Sequence, residues 1–400
     1  MVMDAKNGNP HRADKLIDEW ATKALTKKDL KAEDKEKILK IQKDCENYDK
    51  QQLDACIIDN KIKSPDTGND LTEAVAFNLM FESQIGPTGQ LKGYLRPETA
   101  QGIFLNFRRL IEFNNGKMPM AGAQIGTGFR NEIAPRQGLL RVREFQMGEI
   151  EHFVDPEDKS HHKFHLVEND IIPLWSAPNQ ESNGGVICDL TLKQAVDQKM
   201  INNQTLAYFM ARSFKFLTSV GIKPEGIRFR QHRSKEMAHY ASDCWDAEVE
   251  TSYGWIEVAG HADRSCFDLT KHAEKTNTEL NAARRLKEAR VEKYIMVTVD
   301  KKDFGKFFKT LNKPLLTQIE SWNEEQKSSY MAACEANGKI TLQHEGTDVD
   351  VEAKYLKFEP KERTVMEEKY VPHVIEPSFG LGRIMYCIFE HCFKIREKDA

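Results

Sequence analysis

The sequence predicts an α+β fold built on an antiparallel sheet with helices around it and insertions within it. Two blocks of β-like text carry that expectation. Met118–Arg130 and Leu140–Val154 flank the turn Ala134–Gly138 and read as one long antiparallel hairpin, and Phe229–Leu269 holds the run Tyr253–Val258. The third observation is helical text distributed around these blocks, above all the apolar segment Leu206–Val220.

The elements follow in order. In Arg12–Leu25, the side chains of Leu16, Ile17, Trp20, Ala21, Ala24 and Leu25 share one helical face. Lys27–Lys50 is charged with both signs interspersed, which favours an exposed helical pair over a nucleic-acid arm. Ser64–Asp70 is a turn cluster, and Ala74–Phe81 reads as a short β-segment. Asp155-Pro156 ends the hairpin, and residues 156–225 read as mostly helical. Residues 275–365 form a polar insertion, with strands at Tyr294–Val299 and Ile340–His344 around a helix over Leu315–Ala336. A strand at Val374–Phe379, a Gly-rich turn and a helix over Arg383–Phe393 close the pattern. The expected division is therefore a helical segment at 1–70, core at 71–155, a helical insertion at 156–226, core at 227–272, an α+β insertion at 273–368 and core at 369–400.

Composition narrows the function classes. At 40% hydrophobic and 30% charged residues, the 400-residue chain is neither disordered nor a membrane protein, and no stretch approaches the roughly 18 apolar residues of a spanning helix. Its first residues lack the apolar core of a signal peptide, so none is expected. A net charge of −4 excludes a strongly basic nucleic-acid coat but not a local basic surface. Eight cysteines without a Cys-x-x-Cys pair suggest reduced thiols and a cytoplasmic setting.

The hairpin carries the most chemistry. Arg130 and Glu132 are two apart and share a strand face; Arg141, Phe145 and Glu149 are spaced by four and share another. Were the faces to coincide, two guanidiniums, two carboxylates and a ring would suit a nucleotide: forked bonds to phosphate, a stack on the base, an acceptor for its amine. A salt-bridged sheet face explains the same pattern equally well. At the other end Glu376 and Ser378 alternate on a strand, and Phe379-Gly380-Leu381-Gly382-Arg383 opens a helix, setting Arg383 at a positive N-terminus suited to phosphate. There is no P-loop sequence, so any nucleotide must be held by arginines.

Other candidates are weaker. Glu98, in Arg96-Pro97-Glu98-Thr99, has the ordinary reading of a surface carboxylate. For Asp243, Asp246, Glu257, Asp263 and Arg264, structural pairing and a magnesium site are equally good readings. His161-His162-x-x-His165 lacks metalloprotease spacing, and Cys387 and Cys392 read as core filling.

Taken together, the Phe-Arg-x-Glu segment, its loop, Arg-x-x-x-Phe and the closing Gly-x-Gly-Arg helix resemble motifs 2 and 3 of the class II aminoacyl-tRNA synthetases. Tyr94–Gly102, Phe129–Arg136, Arg141–Phe145, Glu149–Phe153, Glu236–Tyr240, Ser252–Glu257 and Val374–Arg383 resemble the glycyl-tRNA synthetases of the eukaryotic and archaeal α2 type. The resemblance runs over roughly residues 8–397 and is weakest in 156–225 and 275–365.

It implies a class II synthetase-like mixed, mainly antiparallel sheet, and activation of glycine by ATP followed by transfer to the 3′ end of tRNA-Gly. By motif position, Arg130 would hold the α-phosphate, Arg141 and Arg383 the β- and γ-phosphates. The Arg130-Asn131-Glu132 segment would contact ATP, with Glu132 accepting from the adenine amine near the Val142 backbone and Phe145 stacking on the ring. Glu257 and the Val258 backbone would contact ATP, Glu257 near Mg2+, with Arg264 supporting phosphates or ribose. Glu98, Glu149 and Glu376 would line the glycine site, completed by Pro377 and Ser378. Crowding suffices to reject larger amino acids, so no editing domain is expected.

His261 stands where the family usually has cysteine, placing a bulkier, titratable ring in the Gly260–Arg264 segment. Motif 1, which builds the homodimer of the intact enzyme, and the anticodon-binding domain are not recognised in the text, so this chain reads as a piece of a larger enzyme and its own dimerisation is left open. Two other readings are a synthetase-like binding or regulatory protein without catalysis and a different adenylate-forming ligase. The retained Arg130, Arg141 and Arg383 speak against the first, and the carboxylate set against the second.

Overall fold

A computed structural model describes residues 1–26, 30–45, 48–133, 135, 138–182, 184–234 and 236–396. The centre of the turn expected at 134–138 and two short parts of the charged stretch, 27–29 and 46–47, lie outside the described residues. The chain forms two compact units: Met1–Ala282 with Val371–Ala400, and Ala283–Tyr370.

The first unit is organised by a seven-stranded sheet. Its strands are β1 (Met120–Phe129), β2 (Glu144–Val154), β3 (Leu174–Trp175), β4 (Ile227–Gln231), β5 (Asp243–Thr251), β6 (Gly254–Ser265) and β7 (His373–Gly380), in the spatial order β1-β2-β7-β6-β5-β4-β3. Every ladder is antiparallel except β3–β4. The expected hairpin is β1–β2, in register from Met120↔Phe153 to Phe129↔Glu144.

Alternation sorts the two faces. In β4, Ile227 and Phe229 are buried in the core while Arg228 and Arg230 point to the other side; in β5, Trp245, Ala247 and Val249 are buried in the same core and Asp246 and Glu248 meet those arginines. Helices cover the apolar face. The helix α5 (Gln204–Ser219) buries Leu206, Met210 and Leu217 in that core, and α7 (Leu381–Cys392) adds Ile384 and Cys387. Asn203 caps α5, accepting from Leu206 N at 2.9 Å.

Helices α1 (Ala13–Leu25), α2 (Ala32–Asp44) and α3 (Lys50–Asp59) build a separate cluster around Leu16, Ile17, Cys45, Cys56 and Ile57. Among the described residues the charged stretch therefore holds one complete helix, and the next begins only at Lys50, where Asp49 supplies a capping box with Gln52. Between hairpin and core, α4 (Ala100–Leu105) and α6 (Phe267–Thr276) pack Phe104, Phe107, Phe153 and Leu269 together.

Three local expectations change. Ala74–Phe81 forms no strand; the pairing strands are Glu82–Ile85 and Leu91–Tyr94, on either side of a turn with Gly86 and Gly89 at positive φ. Residues 156–225 are less helical than read, holding β3 and short helices beside α5. In the second unit, the single helix expected at Leu315–Ala336 is two, Asn312–Glu320 and Glu324–Asn337. Asn323 interrupts it by capping the second, in a reciprocal box with Gln326 (2.8 and 3.0 Å). That unit has its own core around Phe304, Leu315, Trp322, Ile340 and Val351.

Candidate active site

Where β2, β7 and β6 run side by side, their polar face opens into a cleft of about 510 Å3. Arg130 leaves the end of β1, its N–H donating to Arg143 O at 3.0 Å, and Arg141 and Val142 lead into β2. Both arginines line the cleft with Glu132 and Phe145. The Arg130 guanidinium lies over the Phe145 ring, 5.5 Å from its centroid. The ring can lie there because its partner across the ladder is Gly128; a Cβ at that position would come within 2.8 Å of the ring.

Arg383 enters from the first turn of α7. Its Nε donates to Leu140 O at 3.1 Å and its Nη1 to Glu257 O at 2.8 Å, with Glu257 Oε2 3.6 Å away. The guanidinium is thus held between the hairpin loop and β6 before any ligand arrives. Glu257 presents its carboxylate to the cleft, and Val258 lines it too. An exposed carboxylate oxygen beside arginine-lined space is the donor type a magnesium ion takes, so Glu257 fits that group.

Two expected nucleotide contacts lie elsewhere. Asn131 does not line the cleft: its N–H donates to Leu79 O (2.7 Å) and its side chain to Asn78 O (3.2 Å), pinning the extended segment before the first hairpin. Arg264 does not line it either. Its guanidinium is buried, bonded to Asp268 (2.8 and 3.0 Å) and Glu376 (2.8 Å), with Glu98 at 3.7 Å. Tyr240 and Phe104 flank it at 4.3 and 5.5 Å.

Arg264 belongs instead to a carboxylate cluster at the inner end of the cleft. Register builds it: Ser378 pairs with Glu149 across β7–β2, and Ala262 with Glu376 across β6–β7. Glu149 is buried and accepts from Thr99 N at 2.5 Å, from the Thr99 hydroxyl and from Ser378 Oγ at 3.3 Å. Glu98 accepts from Gln101 at 2.7 Å. Burial pushes the Glu376 carboxyl up to about 7, with Arg264 pulling against it and Glu98 and Glu149 adding to it. Pro377 alternates to the opposite face, paired with His261, so only its backbone can serve this site.

The residues missed in the sequence are Thr99, Asp268, Tyr240 and Glu151. Glu151 follows the same period of two as Phe145, Met147 and Glu149, a signal that was there to be read. It is fully buried, and among the described residues neither carboxylate oxygen has a hydrogen-bond partner.

Other candidates resolve into structure. Asp263 is held by Lys159, Asn202 and Asn203, and Asp243 by Gln231 and Trp245. His161 stacks on Tyr208 at 3.8 Å and takes the Lys163 N–H. Among the described residues the one three-group cluster of metal-ligand type is His232, Cys244 and Asp246. There Arg230 already bonds Asp246 at 3.0 Å, occupying the carboxylate a cation would need. All eight cysteines are free; Cys387 fills the core as expected, whereas Cys392 is exposed. Among the described residues, no helix is long and apolar enough to cross a membrane.

An arginine-lined cleft on a mainly antiparallel sheet, with a helix-borne arginine at its edge, is the architecture of a class II synthetase core. The tRNA synthetase class II core domain family (G, H, P, S and T) matches residues 88–392, and the chain belongs to it. Within that family the chain is similar to glycine–tRNA ligases. It is 48% identical to that of Caenorhabditis elegans, covering 100% of this chain and 54% of the relative. It is 46% identical to glycine–tRNA ligase 2 of Saccharomyces cerevisiae, covering 99% and 64%, and 42% identical to that of Methanocaldococcus jannaschii, covering 88% and 62%. The chain thus spans between about half and two thirds of the length of these curated relatives.

Proposed function

We propose that this chain activates glycine with ATP and passes the glycyl group to the 3′ end of tRNA-Gly. The observation that carries the reading is the link between an arginine-lined cleft and a buried carboxylate cluster: Ser378 lines the cleft and bonds Glu149 of the cluster. An α-ammonium group needs anionic partners, and Glu98, Glu149 and Glu376 supply them.

In this reading Phe145 stacks on adenine and Glu132 accepts from its amine. Arg130 grips the α-phosphate, and Arg141 and Arg383 the outer phosphates. The glycine carboxylate oxygen attacks the α-phosphorus, a C–O–P link forms, and pyrophosphate leaves with the bonding pair. Negative charge grows on the α-phosphoryl oxygens, where Arg130 stabilises it. The terminal hydroxyl of tRNA then attacks the glycyl carbonyl and AMP departs. Mg2+, when bound near Glu257, would supply further neutralisation of the phosphates. Positioning and charge account for most of the catalysis required.

Arg264 braces the pocket rather than the phosphates, and Asn131 acts through the backbone it anchors. A homodimer is part of the proposal, supported by the place of β1 at the sheet edge and by exposed Ile125 and Phe113. So is a cytoplasmic setting, supported by the eight free thiols.

The test is ATP–pyrophosphate exchange over a panel of amino acids, with glycine expected to be preferred. No exchange with any amino acid refutes the enzyme reading, and preference for alanine or serine refutes the pocket.

A further inference from the structure

Arg264 pairs with Glu98, Asp268 and Glu376, and Glu151 lies within electrostatic reach of Arg264 and of Glu98, Glu149 and Glu376. Their hydrogen bonding is uneven. Glu149 has Thr99 and Ser378, Glu376 has Arg264, and Glu98 has Gln101, which in turn meets His272 at 2.6 Å. Among the described residues Glu151 has none, at zero exposure. Gly122 stands opposite it on β1 and brings no charge. The groups that face it are Glu149 on its own strand, Glu376 on β7, Arg264 on β6 and Glu98 before α4.

A carboxylate left ionised in such a place would forfeit its hydration with no hydrogen bond in return, so retaining a proton is the cheaper state. Burial and the neighbouring Glu376 both push its carboxyl well above the usual range, against the pull of Arg264. The site therefore keeps a proton until another cation arrives, and the substrate's ammonium is such a cation.

Resting on the glycine reading above, we propose that Glu151 is a positioning residue for amino-acid recognition, protonated in the empty site and deprotonated when an α-ammonium group binds among Glu98, Glu149 and Glu376. One O–H bond breaks, the proton passes to solvent, and the carboxylate left behind completes the counter-charge for the ammonium. Charge in the pocket is conserved: one proton leaves as one ammonium enters. Binding must then strengthen with pH, by up to about tenfold per unit, wherever the empty site is protonated and the filled one is not.

The experiment is calorimetry on the full chain at about pH 6.5, in buffers of different ionisation enthalpy. Two ligands are compared: glycyl-sulfamoyl adenosine, and its analogue with the amino group replaced by hydrogen. The wild type is expected to release about one proton more with the amine than without it, and Glu151→Gln to bind both and lose that difference. Equal proton counts for the two ligands, or an unchanged difference in Glu151→Gln, overturn the proposal. A merely structural role would lower the melting temperature without moving the proton count. Should Glu151→Gln not fold, the wild-type affinity ratio of the two ligands decides: it should rise from about pH 5.5 to about pH 7.5, and a flat ratio overturns the proposal. Failure of both ligands to bind refutes the adenylate reading itself, and this proposal with it.

Discussion

Across the β6–β7 ladder, Nη1 of Arg264 donates to Glu376 Oε2 at 2.8 Å, and both side chains are more than nine-tenths buried. The pair is held from behind by Asp268 and covered by Tyr240. A buried guanidinium with this many anionic partners is committed to them, which is why it is not available to a phosphate.

Removing that cation would leave Glu376, Asp268 and Glu98 facing one another without compensation. Arg264→Gln should cost about 3–5 kcal/mol of stability, as for other broken buried pairs. Arg264→Lys keeps the charge but loses the forked geometry and should fall between the two. Urea denaturation measures both, and an Arg264→Gln midpoint equal to that of the wild type would show the pair to be dispensable.

Glu149 is the carboxylate with the most donors in the pocket, oriented by Thr99 and Ser378 toward the proposed ammonium site. Glu149→Ala should raise the KM for glycine by roughly tenfold or more, on the scale of a lost charged hydrogen bond. The KM for ATP should change far less, because the residues proposed to hold phosphate and adenine line the cleft and Glu149 does not. Steady-state pyrophosphate exchange separates the two constants, and equal changes would contradict the assignment.

How much of this was legible follows from what sets each contact. The hairpin, α5, β7 and α7 were readable because period and turn chemistry are local. So were the directions of Phe145 and Glu149, by alternation along β2, and of Arg383, at a helix start, whereas Arg130 and Glu132 lie past the end of β1 and not on the strand face expected of them. Arg264 was not, because its partners at 98, 268 and 376 are chosen by sheet register, which no local window contains. Ala74–Phe81 misled for a related reason: apolar text with β propensity forms a strand only where a partner edge exists. The break at Asn323 was local and readable, as a cap residue three before Gln326.

His261 illustrates the opposite face of the sheet. Its ring is fully buried against α5, with Nε2 2.6 Å from Ser213 Oγ and Nδ1 3.3 Å from Trp245 O, and it does not line the cleft. Burial lowers its pKa to about 4, against 6.5 for an exposed ring. A base depressed in the folded state binds fewer protons there than when unfolded. Its stability contribution is therefore complete above the unfolded value and is lost as pH falls from 6.5 toward 4. The full loss is about 3 kcal/mol. Going from about pH 7.5 to about pH 4.5, the wild type should lose more unfolding free energy than His261→Cys, by most of that amount. Parallel losses in the two proteins would show that this ring does not titrate on unfolding.

The last prediction concerns the base of the nucleotide. Phe145 presents its ring to the cleft with Arg130 above it at 5.5 Å and Gly128 opposite it on β1. If adenine stacks there, the base takes the face that Arg130 covers, and the guanidinium moves toward the phosphates. Phe145→Leu keeps apolar volume but loses the flat π-surface, so the KM for ATP should rise roughly 5- to 150-fold, the range expected for one aromatic–base stack. Gly128→Ala tests the same ring without touching it. The new Cβ would lie 2.8 Å from the ring edge, so the ring must tilt into the space the base needs. Both variants should raise the KM for ATP while leaving that for glycine within about threefold, since neither residue adjoins the carboxylate pocket. Exchange kinetics with each substrate varied in turn supply the comparison. A Gly128→Ala protein with an unchanged KM for ATP would mean that the adenine binds elsewhere in the cleft.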